Sequence, residues 1–271
     1  MKKLLCLATG IALVFVSCGG GERASILAYI QVYEAGTDTI VKDFGIDMYK
    51  YNGFKEIPLV TLNDDTVHIP LDMYYVGVTS FDYNGEAPWL STGAECRFKA
   101  DYGEGSGEAK DTIPAEFQIS SPDPGYILTQ GSNLSIAWGS SNGAQWYWLY
   151  VDISYYYMDN SGGFDDFDLE LDTIIEGTSF TLPASRLFPS DVDTVLYGSG
   201  YVDIEAYSGP KIVAGEEGNI KGSAVGFFWG IYAPDAVGFG IEAPANAPPD
   251  DQRQETFQKH LKVLSDYAAE N

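Results

Sequence analysis

Alternating hydrophobic and polar residues dominate the first part of the chain. The clearest alternation starts after Ser25, with apolar residues at Ile26, Ala28, Ile30 and Val32. Further runs, separated by turn sequences such as Asn-Gly, lie at 40–51, 59–62, 66–69, 74–83 and 95–102. A period of two is typical of strands with one buried face. Several short strands at this spacing predict a small β-sandwich over residues 25–110.

A change in composition marks the end of this first module. Residues 101–111 are rich in glycine, glutamate and serine, as segments between domains often are. A second series of strand patterns follows over residues 116–242, with its clearest runs at 134–138, 147–153, 178–183 and 200–207. We therefore predict an all-β protein with two modules.

The start of the second module resembles the first strands of fibronectin type III and related immunoglobulin-like domains. A turn with Pro122 and Gly125 precedes a strand that ends in Trp138, and a tyrosine-containing strand with alternating apolar residues follows. The resemblance implies a two-sheet sandwich over residues 116–242 with Trp138 in its core. Together with the first module, it predicts two tandem immunoglobulin-like β-sandwich modules.

The C-terminal residues 243–271 follow a different pattern. A linker rich in proline and alanine precedes a predicted short helix over residues 250–268. One face of this helix carries apolar residues at helical spacing, namely Phe257, Leu261, Leu264 and Ala268. The helix either packs on the second module or offers this face to a partner protein. Packing is favoured, because an isolated helix of this length is marginal in water.

The N-terminus has the pattern of an export signal. Two lysines precede the apolar stretch Leu4 to Val16, whose thirteen residues would form a helix of about 20 Å. The hydrocarbon core of a membrane is about 30 Å thick, so this stretch is too short to span it.

The end of this signal resembles the lipobox of bacterial lipoproteins. The sequence is Phe15-Val16-Ser17-Cys18, with phenylalanine where leucine is usual. The resemblance implies cleavage of the signal peptide 1–17 and attachment of membrane lipid to Cys18, followed by a glycine-rich tether over 18–24. The alternative is ordinary secretion with cleavage near Ser17. Gly19 stands where an aspartate would favour the inner membrane, so the outer membrane is the expected location.

The charge of the exported chain restricts its partners. Residues from Cys18 onward contain 39 acidic and 13 basic residues, because Lys2 and Lys3 are removed from the 15 with the signal, and the formal charge is −26. Nucleic acid and anionic lipid head groups both require a positive protein surface, so neither is an expected partner. The hydrophobic content of 45% predicts a folded protein. Cys96, in a strand pattern, is expected to be buried and unreactive.

Aromatic residues alternate along one predicted strand of the second module. They share a face with acidic and hydroxyl side chains, and the set is Trp146, Trp148, Tyr150, Asp152, Ser154 and Tyr156. The aliphatic neighbours would point inward. Flat rings beside carboxylates suit sugars, whose C–H faces stack on them, and they also suit protein contacts. Alternatively, neighbouring strands cover this face.

An acidic loop over residues 159–168 is a candidate calcium site. Its oxygen ligands are Asp159, Asn160, Asp165, Asp166 and Asp168. Calcium prefers such ligands, but the loop lacks the spacing of an EF-hand. Aspartate, asparagine and glycine are also the residues that ordinary turns use.

Signals of catalysis are weak. The chain has two histidines, His68 and His260, and lacks His-Glu-x-x-His and Cys-x-x-Cys. We therefore expect a non-catalytic, lipid-anchored cell-envelope binding module with a glycan or protein ligand. Two alternatives stay open: a structural subunit of an envelope protein complex, and a hydrolase without a recognisable motif.

Overall fold

The computed structural model describes residues 23–36, 39–50, 52–55, 58–67, 80–213 and 217–243. The predicted signal peptide, the lipidated Cys18, most of the tether and the predicted C-terminal helix lie outside the described residues, and they stay predictions. Among the described residues, no helix has the length and hydrophobicity needed to span a membrane.

The described chain is mostly β-structure, which confirms the all-β prediction. The strands are β1 (Ala24–Glu34), β2 (Ile40–Tyr49), β3 (Leu59–Leu62), β4 (Asp65–Thr66), β5 (Ser80–Glu86), β6 (Glu95–Asp101), β7 (Ser106–Thr112), β8 (Ile119–Ser121), β9 (Ile127–Thr129), β10 (Leu134–Trp138), β11 (Trp146–Asp159), β12 (Phe164–Ile175), β13 (Ser179–Leu182), β14 (Val192–Tyr207), β15 (Lys221–Gly222), β16 (Ala224–Ala233) and β17 (Val237–Glu242). One short helix, α1 (Ala184–Leu187), precedes β14.

The chain folds into two compact units. Unit 1 contains the residues up to Phe117, Ser140–Trp148 and Glu205–Asp235. Unit 2 contains Gln118–Gly139, Leu149–Ile204 and the residues from Ala236. Residues 140–148 and 205–235, which the sequence pattern assigns to the second module, are therefore part of unit 1.

Unit 1 has two sheets. In the first, β16 lies between the end of β14 and β1, and the order continues through β2 to β5. The second has the order β15-β7-β6-β3-β4. The rings of Phe98 in β6 and Phe228 in β16 stack with centroids 5.3 Å apart, so the two sheets share a core. Cys96 is buried there as expected, and burial raises its pKa to about 11.

Strand β7 occupies the segment that the composition marks as a boundary between domains. It pairs with β6 along its whole length, from Ser106 to Thr112. A Cβ atom on Gly107 would lie 2.8 Å from Cδ1 of Ile26 and 2.9 Å from Cβ of Ala224. Glycine is therefore needed here because β7 packs closely against the first sheet, and not because the segment is a linker.

Unit 2 also has two groups of strands. One is the three-stranded sheet β13-β10-β8. In the other, β12, β11 and β14 are neighbours, β17 pairs with β14, and β9 runs parallel to β17. Its core is formed by alternate residues of the long strands and by Trp138, which is buried as expected. The remaining alternate positions of β11, β12 and β14 form the opposite face of this sheet.

Candidate functional site

Strand β11 alternates as the sequence predicts. Its inward residues Tyr147, Leu149, Val151 and Ile153 are all buried. The opposite positions become more exposed along the strand, from Trp146, which is 5% exposed, to Tyr156, which is 44% exposed. The aromatic strand is therefore not one uniform open surface.

The two tryptophans of this strand belong to a packed cluster in unit 1. Trp146 stacks on Tyr207 with ring centroids 4.0 Å apart, and its Nε1 donates to the Gly209 carbonyl at 3.0 Å. Trp148 is partly buried against the same cluster, which also contains Trp229. The expectation that Trp146 lies on an open face is wrong, because neighbouring strands and the chain after β14 cover it.

The open part of the strand meets tyrosines from β14, and together they form a surface that we call the tyrosine face. It consists of Tyr150 and Tyr156 of β11 and Tyr197 and Tyr201 of β14. Tyr156 and Tyr197 stack with centroids 5.3 Å apart, and Tyr197 is 49% exposed. The rings of Tyr150 and Tyr201 lie 5.7 Å apart, and their hydroxyls are hydrogen-bonded. The face thus presents two pairs of rings.

Polar and small residues lie between the tyrosines of this face. Asp152 and Ser154 separate the two tyrosines of β11, and Ser199 separates those of β14. On the other side of β14, Ser199 pairs with Gly240, and Tyr201 pairs with Gly238. A Cβ atom on Gly238 would meet only the carbonyl oxygen of Gly200, at 3.9 Å, so the sheet next to Tyr201 leaves room for a bound molecule. A Cβ atom on Gly240 would lie 2.8 Å from Cδ1 of Ile127, so the position next to Ser199 is already filled.

The hydroxyls of Tyr150 and Tyr197 are held in the protonated form. The pKa of Tyr150 is raised by burial, by its hydrogen bond with Tyr201, and by the negative charges of Glu170 and Asp152. Burial and the neighbouring Tyr156 raise the pKa of Tyr197. At neutral pH these phenols can donate hydrogen bonds, and the carboxylates among them can accept.

The five residues of the acidic loop do not form a common site. The turn is tight, and β12 begins at Phe164, so Asp165, Asp166 and Asp168 lie on a strand instead of a loop. Oδ1 of Asp159 accepts hydrogen bonds from the amide groups of Ser161 and Gly163 and from the Ser161 hydroxyl.

Asn160 also has a structural role in this turn. Its Nδ2 donates to the carbonyl of Ser190 at 2.9 Å. In the part of the chain that the structure describes, no group of three or more His, Cys, Asp or Glu side chains is arranged to hold a metal ion. Asp159 stabilises the turn of the hairpin, and Asn160 joins that turn to the segment before β14.

One sequence motif has a structural explanation. Residues 139–143, Gly-Ser-Ser-Asn-Gly, match the Gly-x-Ser-x-Gly nucleophile motif, with Ser141 at the position of the nucleophile. Ser141 is buried, its hydroxyl donates to the carbonyl of Ala115, and its amide donates to the Tyr147 hydroxyl at 2.8 Å. A turn follows Ser141 instead of the helix that the motif requires, so this serine has a structural role.

Comparison with known proteins adds no functional evidence to the geometry of the tyrosine face. No protein-family model matches the chain, and no curated protein matches it. Tyr197 and Tyr201 do not belong to the predicted site. The alternation Tyr197, Ser199, Tyr201, Asp203 is the signal that could have identified them, because it has the same residue types, tyrosine, serine and aspartate, as the alternate positions 150–156 of β11.

Proposed function

We propose that this protein is a non-catalytic, lipid-anchored module of the bacterial cell envelope that binds a glycan on the tyrosine face. The observation that carries the proposal is the pair of ring clusters, Tyr150 with Tyr201 and Tyr156 with Tyr197. Tyr150 and Tyr156 are six residues apart, about 20 Å along a strand. This spacing suits a linear glycan with sugar rings on both clusters and hydroxyl groups bonded to Asp152, Ser154 and Ser199 between them.

We also propose an immunoglobulin-like architecture for unit 2. The sheet β13-β10-β8 and the neighbours β12-β11-β14-β17 correspond in order to strands E-B-A and C′-C-F-G of that fold. The same assignment for residues 25–110 stays a prediction from the sequence. In this architecture the tyrosine face is the outer surface of the C′CFG sheet.

Removing the more exposed ring cluster tests glycan binding. We expect a Tyr156→Ala/Tyr197→Ala variant to bind its glycan at least about tenfold more weakly. The reason is that the variant lacks both rings and therefore loses the apolar area that each ring would bury against a sugar. Calorimetric titration with the strongest ligand of an oligosaccharide panel gives the dissociation constants. Tyr49→Ala is the matched control, since Tyr49 is 40% exposed and lies in unit 1. If both variants weaken glycan binding equally, or if neither weakens it, the result contradicts the proposal.

Lipid anchoring is tested at Cys18. We expect Cys18→Ser to move the protein from the membrane fraction to the soluble fraction, because lipid attaches only through the thiol of that residue. Fractionation of bacterial cells followed by detergent phase separation measures this. Cys6→Ser lies inside the predicted signal peptide and should leave the protein on the membrane. Retention of the Cys18→Ser protein in the detergent phase would rule out the proposed anchor.

A further inference from the structure

The tyrosine face continues across β14 to the strands β17 and β9. Ile127 of β9 is opposite Gly240 of β17, and its Cδ1 fills the space beside that glycine. Gly240 in turn pairs with Ser199, so the Ile127 side chain borders the tyrosine face. Ile127 and Tyr156 are each 44% exposed, and Tyr197 is 49% exposed. Unit 2 therefore presents a broad surface of rings and aliphatic carbon, which suits the apolar side of a helix.

The C-terminal segment leaves its sheet at this surface. Strand β17 ends at Glu242. Because Gly198 is opposite Ile241 in the antiparallel pairing of β14 with β17, that end is level with Tyr197. The linker 243–249 reaches about 20 Å when it is extended. Strands β14 and β11 lie within about 10 Å of β17, so the linker can bring the predicted C-terminal helix over the tyrosine face.

The predicted helix matches the tyrosine face in length. Residues 250–268 would form a helix of about 28 Å, and its apolar stripe from Phe257 to Ala268 covers about 16 Å. The tyrosine face extends about 20 Å from Tyr150 to Tyr156. A helix that lies along the strands therefore places its stripe across both ring clusters.

The charges of the helix also suit this surface. Among the described residues of unit 2, Arg186 in α1 is the only lysine or arginine, so the unit is strongly acidic. In the predicted helix, Arg253 and His260 border the apolar stripe, each four residues before one of its members. The opposite side carries Glu255 and Asp266 together with two lysines. Beyond the first turn, the side that would meet unit 2 therefore carries no carboxylate.

We infer that the C-terminal helix packs along the tyrosine face of its own chain, with Phe257, Leu261 and Leu264 against the rings. An isolated helix of this length is marginal in water, and this contact gives its apolar stripe a partner. The helix then covers the surface proposed to bind glycan, a consequence that rests on the proposed function. A glycan must displace the helix, so its apparent affinity falls in proportion to the fraction of molecules with an open face.

Photo-crosslinking locates the helix without any glycan. The full-length protein in detergent carries p-benzoylphenylalanine in place of Phe257, and mass spectrometry identifies the peptide that it attaches to. We expect crosslinks within one chain to residues 150–156 or 197–201. The same group in place of Gln258, about 100° round the helix, should give far fewer of them. Crosslinks to a second copy or to another part of the chain overturn the inference, and so does the absence of crosslinks.

Glycan titration measures how strongly the helix covers the face. We expect Phe257→Asp/Leu264→Asp to bind the strongest ligand of the oligosaccharide panel about five- to tenfold more tightly, as for a helix docked in about 80–90% of molecules. Gln258→Asp/Ser265→Asp adds the same charges one position later, away from the stripe, and should keep the wild-type affinity. A glycan that binds all three proteins equally, or an equal gain in both variants, overturns the inference.

The proposed function is judged in the Phe257→Asp/Leu264→Asp background, where the face is open. It stands if a glycan binds there and the added substitutions Tyr156→Ala/Tyr197→Ala weaken that binding, whatever the crosslinks show. It falls if no glycan binds in this background. In that case the crosslinks alone decide whether the helix packs on the tyrosine face.

Discussion

We expect Tyr155→Ala to lower the free energy of unfolding of unit 2 by about 3–5 kcal/mol, the cost of removing a large buried ring. The Tyr155 side chain is 2% exposed, and its ring stacks on Phe167 with centroids 4.8 Å apart. Its hydroxyl donates a hydrogen bond of 2.7 Å to the carbonyl of Leu187, the last residue of α1. The substitution therefore leaves a cavity and an unpaired carbonyl in the centre of the unit.

The neighbouring residue provides the control for this prediction. Tyr156 points to the opposite face and is 44% exposed, so Tyr156→Ala should change stability by less than about 1 kcal/mol. Tyr155→Phe keeps the ring and removes only the hydrogen bond, which contributes about 1 kcal/mol. Urea denaturation followed by circular dichroism gives all three values. Similar losses for Tyr155→Ala and Tyr156→Ala would show that β11 does not alternate as described.

We expect Gly226→Ala to destabilise unit 1 by more than about 3 kcal/mol, because the added methyl group would collide with backbone atoms. Gly226 pairs with Ile26 in the parallel register of β1 and β16 and has a φ of 142°. A Cβ atom there would lie 1.7 Å from the carbonyl oxygen of Ile26. The two central strands of the sheet would have to separate to accept it.

A second glycine separates the steric collision from backbone strain. Gly36 also has a positive φ, of 84°, but a Cβ atom there would meet nothing within 4 Å. Gly36→Ala should therefore cost only about 1–2 kcal/mol, from the left-handed conformation alone. Thermal and urea unfolding of both variants measure the difference. If Gly226→Ala is no more destabilising than Gly36→Ala, the close approach of β1 and β16 is wrong.

The sequence by itself determined which side chains of a strand are buried wherever only one face packs inward. On β1, alternation predicts a buried set, and Ile26, Ala28, Ile30 and Val32 are all buried. On β11, the aliphatic set is buried in the same way. These predictions succeed because the period of two is a property of a single strand and needs no knowledge of its neighbours.

Only the tertiary structure decided which strands lie side by side. Strand β16 is buried at all ten positions, so it has no alternation to interpret, and each residue of β1 lies 200 positions earlier than its partner in β16, as Ala24 does opposite Ala224. The tyrosine face likewise depends on β14 lying next to β11, which brings Tyr197 onto Tyr156. Such pairings arise because the inner faces of distant strands bury one another, a property that neither strand's sequence contains alone.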